Sequence, residues 1–148
     1  MADFGFSSRL YFGNDGKQEK GANQDKFPFH SSAYEILVNG TAILEKSDIW
    51  SFGILMWEVF YLGTALPYAD KTADALGKSA LVNSLKLGQR LEKPPLCPQR
   101  LYNLMLRCWE LNNQVRPTFS IVKEKLQDFQ ASNARNSDQE HSNQEPSN

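Results

Sequence analysis

The sequence predicts a mainly α fold, and three stretches carry that prediction. From Ser47 to Phe60, apolar side chains fill nearly every angular position of a helix, with no polar stripe. Leu101, Leu104, Met105 and Cys108 fall at helical spacing, and Phe119, Val122, Leu126 and Phe129 do the same. A helix that is apolar all round belongs in the middle of a protein and is expected to be touched on every side.

Composition sets the bounds. A chain of 148 residues suits one domain, and 22% charged with 41% hydrophobic residues is ordinary for a globular protein. The net charge of −1 creates no field that favours nucleic acid or an anionic membrane. The apolar run through Leu62 carries Glu58 and falls short of the roughly 20 residues a bilayer needs. The N-terminus lacks the basic and apolar regions of a signal peptide, and Cys97 and Cys108 have no short metal spacing. Reduced thiols in a cytoplasmic setting are the expectation. Asn39-Gly40-Thr41 matches a glycosylation acceptor, but nothing indicates secretion.

Taken in order, the chain opens on Met1-Ala2-Asp3-Phe4-Gly5. In a phosphotransferase such an Asp holds Mg2+ against nucleotide phosphates, the Phe packs beneath, and the Gly lets the backbone turn. Phe6 to Asp25 is polar, without period, and punctuated by Gly13, Gly16 and Gly21, which reads as a surface loop. Tyr11 is its candidate phosphorylation switch, set against the plainer reading of a solvated tyrosine. Pro28 holds Phe27-Pro28-Phe29 extended, and a short helix is expected from near Ser32 to before Asn39-Gly40. His30 has no nucleophile motif beside it and reads as a half-exposed loop histidine.

Ser47 is the expected N-cap of the central helix, Asp48 suits its first turn, and Gly63 supplies the stop. Small Ser51 and Gly53 admit a close neighbour. Thr72 is expected to cap a helix through about Leu87, with an uneven face of Ala75, Leu76, Ala80, Val82 and Leu85, weakened by Gly77. Lys93 to Pro98 reads as a proline-stiffened spacer rather than a ligand for a proline-recognising module. Pro98 to Glu110 forms an amphipathic helix, Asn112-Asn113 turns the chain, and Thr118 caps the last helix. Residues 131–148 carry almost no apolar side chain and are expected to be disordered.

The order of these motifs resembles the helical C-terminal lobe of a protein kinase, most closely the tyrosine-kinase group and its receptor-type enzymes. The carrying residues are Ala2-Asp3-Phe4-Gly5, Lys46 to Leu55, Trp57-Glu58-Val59-Phe60, Leu62-Gly63 and Pro67-Tyr68. Leu91 to Pro95, Leu104 to Trp109, and Arg116-Pro117-Thr118-Phe119 continue them, so the resemblance covers residues 2 to about 130. It implies a partial kinase domain over 1–130, divided into an activation segment at 3–35 and a helical subdomain at 36–130. The N-terminal β lobe and the catalytic loop are missing from it.

The resemblance also assigns residues. Asp3 is the Mg2+ ligand, Gly5 the flexible point after it, and Tyr11 an activation-loop tyrosine. Phe27, Pro28 and Phe29 belong to the substrate-docking loop. Glu35 pairs with Arg116, while Asp48 and Trp50 anchor the central helix, Asp48 by binding the catalytic-loop backbone. The full-length parent would use ATP and Mg2+ on protein tyrosines or serve signalling proteins, in the cytoplasm or as the cytoplasmic part of a receptor. This chain contains no Gly-x-Gly-x-x-Gly and no His-Arg-Asp, and it has neither the ATP-binding lysine nor the catalytic aspartate. It is therefore expected to bind neither ATP nor Mg2+ usefully, to be inactive alone, and to self-associate through uncovered apolar surface. Met1 is expected to be an internal methionine of a longer domain.

Departures matter too. Tyr34 replaces the proline of the family's Ala-Pro-Glu motif, Ser31 stands where tryptophan is usual, and Ser32 where methionine is usual. These substitutions bear on peptide docking and keep a second class open: a pseudokinase-like scaffold or binding module.

Overall fold

A computed structural model describes residues 29–71 and 75–142. Five α-helices carry them: α1 (Tyr34–Asn39), α2 (Leu44–Phe60), α3 (Ala75–Lys86), α4 (Gln99–Cys108) and α5 (Phe119–Ser142). No strand occurs among the described residues, as the mainly α expectation requires.

α2 is the hub. It packs on α4, on the 3-10 turn Phe29–Ser31 and on a second 3-10 turn, Asn113–Val115; α5 packs on α4, and α3 on α1. The core is built from Ile49, Trp50, Ile54 and Trp57 of α2 against Leu101, Leu104, Met105 and Cys108 of α4, with Trp109 and Val122 beside them. The four apolar α4 positions read from the sequence are all buried. Gly53 makes this contact close: a Cβ there would stand 2.6 Å from Trp109 Nε1 and 2.9 Å from Cys108 Cβ.

α2 departs from expectation in two ways. It starts at Leu44 rather than after Ser47, with Ile43 at the N-cap and no side-chain cap. Ser47 is instead inside the first turns, where its Oγ accepts the Ile43 N–H at 2.9 Å. The helix is also not covered all round: Leu55 and Val59 are 52% and 60% exposed. Its stop is where expected. Leu62 and Gly63 both take positive φ, and the Gly63 N–H reaches back to the Glu58 carbonyl at 3.1 Å. Gly40, at φ 67°, ends α1 in the same left-handed way.

α3 has a different phase from the one read off the sequence. Leu81 and Leu85 are buried and Gly77 lies on the same face, whereas Leu76 is 79% exposed and Ala80 exposed. Spacing of four from Gly77 through Leu81 to Leu85 is a helical stripe, buried at all three positions. Thr72, the expected cap, lies outside the described residues.

α5 runs on to Ser142, through a stretch expected to be disordered. From 131 to 139 its residues are exposed apart from half-buried Ser132, so burial is not what extends it there. Ser132 and Ser137 return their hydroxyls to the carbonyls of Asp128 and Asn133, at 2.8 and 3.0 Å. Once a helix is nucleated, each added residue costs little, and Ala, Arg, Gln and Glu in this stretch propagate it well. Thr118 accepts the Ile121 N–H at 3.3 Å, so the expected N-cap bond is present.

Candidate functional site

The described site is a buried polar knot between α1, the start of α2 and the turn before α5. Glu35 sits in the first turn of α1, on the stretch that Phe29 and Ala33 bury against the core. Arg116 follows the 3-10 turn that Asn112 caps with its side chain. The guanidinium donates to Glu35 through Nη1 to Oε1 at 2.9 Å and Nη2 to Oε2 at 2.8 Å, a parallel pair of bonds. Nη1 also donates to the Lys46 carbonyl at 2.8 Å and Nε to the Glu110 carbonyl at 2.7 Å. Arg116 is 2% exposed and Glu35 9%.

Two residues complete the knot. Ser47 Oγ donates to Glu35 Oε1 at 2.7 Å, and Lys46 Nζ donates to the Arg116 carbonyl at 2.7 Å. Lys46 and Arg116 thus each bind the other's main chain. The Arg116 guanidinium lies 5.0 Å from the Trp50 ring centroid, and that of Arg90 lies 5.7 Å away. Burial by itself pushes the Glu35 carboxyl up; the bonds from Arg116 and Ser47 and the charge of Arg116 outweigh it and hold the group below its usual value. Both charges are therefore compensated in place, and the knot is a clamp rather than a reactive centre.

Of the other expected site residues, Trp50 touches the knot through that ring contact, and the rest described lie apart from it. Asp48 points to the exposed side of α2 with no hydrogen-bond partner among the described residues, and partial burial raises its carboxyl pKa. Trp50 is fully buried, its Nε1 without a hydrogen-bond partner among the described residues. Phe29 is buried and stacks on His30 at 4.0 Å between ring centroids. Burial lowers the His30 pKa, partly offset by Asp70, so the imidazole is neutral at pH 7. Asp3, Gly5, Tyr11, Phe27 and Pro28 lie outside the described residues.

Sequence reasoning missed Lys46, Ser47 and Arg90. Ser47 reads as a helix cap in one dimension, and neither lysine nor arginine main-chain bonding has a periodic signature. Proximity in space reveals them: residues 35, 46 and 116 meet in the knot, and Arg90 lies over the Trp50 ring.

The remaining groups are chemically quiet. An open cavity of about 600 Å³ lies beyond the C-terminal end of α2, bounded by Trp57, Tyr61, Tyr68 and Arg90. Burial pushes the Tyr68 phenol up to about 12, so it stays protonated. Cys97 and Cys108 are free and buried, and burial pushes Cys108 up to about 12, which leaves it an unreactive thiol. Among the described residues, no three His, Cys, Asp or Glu side chains are placed to hold a metal ion. No helix among them is long and apolar enough to cross a membrane.

The family model for protein tyrosine and serine/threonine kinases matches residues 1–126. The tyrosine-protein kinase transforming protein Fps of avian sarcoma virus (strain PRCII) is 39% identical over 126 residues, which is 85% of this chain and 22% of that protein. The tyrosine-protein kinase receptor torso of Bombyx mori is 36% identical over 129 residues, 87% of this chain and 15% of the receptor. The chain thus spans less than a quarter of either relative.

Proposed function

The chain belongs to the protein tyrosine and serine/threonine kinase family, and from that membership we propose that it is the helical C-terminal part of an ATP-dependent protein tyrosine kinase. Tyrosine specificity is supported by the two relatives that carry it in their names. The observation that supports the reading most is the buried Glu35–Arg116 clamp. It fastens the end of the proposed activation segment, 3–35, to the turn before the last helix of the proposed helical subdomain, 36–130. Phosphoryl transfer relies on holding substrate, metal and nucleotide in one geometry, so a rigid anchor for that segment is what the chemistry requires. Phe27 to Phe29 would support the substrate, Tyr11 would regulate the segment, and Asp48 would wait for a main-chain partner.

ATP and Mg2+ belong to the whole enzyme in this reading. Magnesium binds through one or two carboxylates together with phosphate oxygens, and Asp3 is the single residue the motif offers. Among the described residues no three His, Cys, Asp or Glu side chains are placed to hold a metal ion, and no step is assigned to either group. The 148 residues by themselves transfer no phosphate, since one ligand cannot substitute for the positioning and charge stabilisation of a complete site. The protein would act in the cytoplasm or as the cytoplasmic part of a receptor. The exposed Leu55, Val59 and Leu62 support self-association of the chain.

The assay is incorporation of labelled phosphate into a tyrosine polymer by the purified chain. No incorporation is expected; turnover that Asp3→Asn abolishes contradicts the claim of inactivity. A scaffold reading is favoured by Ser31, Ser32 and Tyr34, which depart from the kinase pattern beside the docking loop.

A further inference from the structure

Arg100, Asn103 and Arg107 follow one another on α4 at spacings of three and four, and Lys125 and Phe129 of α5 stand across from them. With Leu101 and Leu104 they line a cavity of about 140 Å³ between the two helices. Its floor is apolar, because Leu101 and Leu104 are buried and Phe129 is half-buried. Its rim is cationic, with Arg100, Arg107 and Lys125 exposed and no carboxylate among the lining residues. Among the described residues, none of the three cations has an ion-pair partner; the pairs found there are Lys71–Asp70 and Arg116–Glu35. Arg100 makes one long side-chain bond, from Nη1 to Ser132 Oγ at 3.5 Å. Asn103 accepts from Gln99 through its carbonyl oxygen at 2.9 Å, which leaves its NH2 to donate.

Three like charges lining one cleft without a counter-ion are ordinary on a hydrated helix face. Around an apolar floor they are more specific, because water satisfies the rim but not the floor. We propose that this cleft binds an aryl phosphate, the phosphotyrosine side chain of a partner peptide. The phosphate lies between Arg100, Arg107 and Lys125, where guanidinium forks match pairs of phosphate oxygens. The ring covers Leu101, Leu104 and Phe129, the last offering an aromatic contact. Arginine clusters reading a phosphorylated side chain are a recurring recognition mode, and the aromatic stem is what the floor selects. Phosphoserine is too short to bury that floor, and inorganic phosphate has nothing to bury.

The experiment is fluorescence anisotropy of the full chain with a fluorescein-labelled synthetic peptide carrying one phosphotyrosine, without nucleotide. The phosphotyrosine form is expected to bind at least about tenfold more tightly than the unmodified and the phosphoserine forms. Arg107→Ala and Lys125→Ala, each with an unchanged helical circular dichroism spectrum, are each expected to weaken it about tenfold, and Lys78→Ala to leave it unchanged. Added salt is expected to weaken it further, because the rim is exposed. Equal affinity for the unmodified or phosphoserine peptide overturns the proposal, as does indifference to both α4–α5 variants. Competition by equimolar inorganic phosphate, or tighter capture by phosphatidylserine vesicles than by the peptide, overturns it too. With no ATP in the assay, failure here leaves the kinase assignment untouched.

Discussion

Arg116 shows how much one side chain can hold. Removing it leaves the Glu35 carboxylate buried, strips the Lys46 and Glu110 carbonyls of their donor and removes the nearer of the two guanidinium groups from the Trp50 ring. Breaking one side of such a pair costs about 3–5 kcal/mol, so Arg116→Ala is expected to lower the urea midpoint far more than Arg100→Ala, on the exposed start of α4. Equal midpoints for the two variants contradict the clamp. The pH dependence has a definite sign. Glu35 titrates below its usual 4.5 in the folded chain, so its contribution is present above that pH and is lost as pH falls through the lower folded value. Glu35→Gln is therefore expected to be less stable than the native chain at pH 7, with the gap narrowing below pH 4.5, followed by urea midpoints across that range. The partners Glu35 and Arg116 were legible in the sequence only through a family motif. Ser47 and Lys46 were not, because a hydroxyl at a helix start looks like a cap until the chain 12 residues earlier is seen to lie against it.

At the scale of elements, the sequence reads best where one face is buried and the other wet. α4 is such a helix, and its four core positions follow from spacing alone. α3 is not, since small and apolar residues are scattered around it and Gly77 looks like a defect rather than part of the buried stripe. Leu81→Ala is expected to cost about 2–5 kcal/mol, the usual range for a buried leucine, and Leu76→Ala within about 0.5 kcal/mol. Comparable losses in thermal unfolding contradict the assigned phase. Gly53 tests the α2–α4 contact. Alanine is the better helix former by about 1 kcal/mol, yet its Cβ at position 53 collides with Trp109 and Cys108. Overpacking costs about 1–3 kcal/mol, so Gly53→Ala is expected to lower Tm, and a raised Tm contradicts the packing.

At the scale of the whole molecule, α2 is central but not enclosed. Leu55 and Val59 remain open, and Asp48 stands on that side with no hydrogen-bond partner among the described residues. An apolar helix with uncovered positions is consistent with a body that packs against more protein than these residues contain, a feature periodicity alone cannot separate from full burial. The long α5 was illegible for the converse reason: disorder was inferred from composition, while helix propagation depends on the turn already formed. The proposed function adds the requirement that this body can serve a kinase. The direct measurement replaces the matching C-terminal part of the torso kinase domain with residues 1–130 of this chain and assays phosphate transfer to a tyrosine polymer. Turnover is expected, abolished by Asp3→Asn and strongly reduced by Arg116→Ala. A chimera that is folded, binds ATP and transfers no phosphate contradicts it and leaves the scaffold reading in its place.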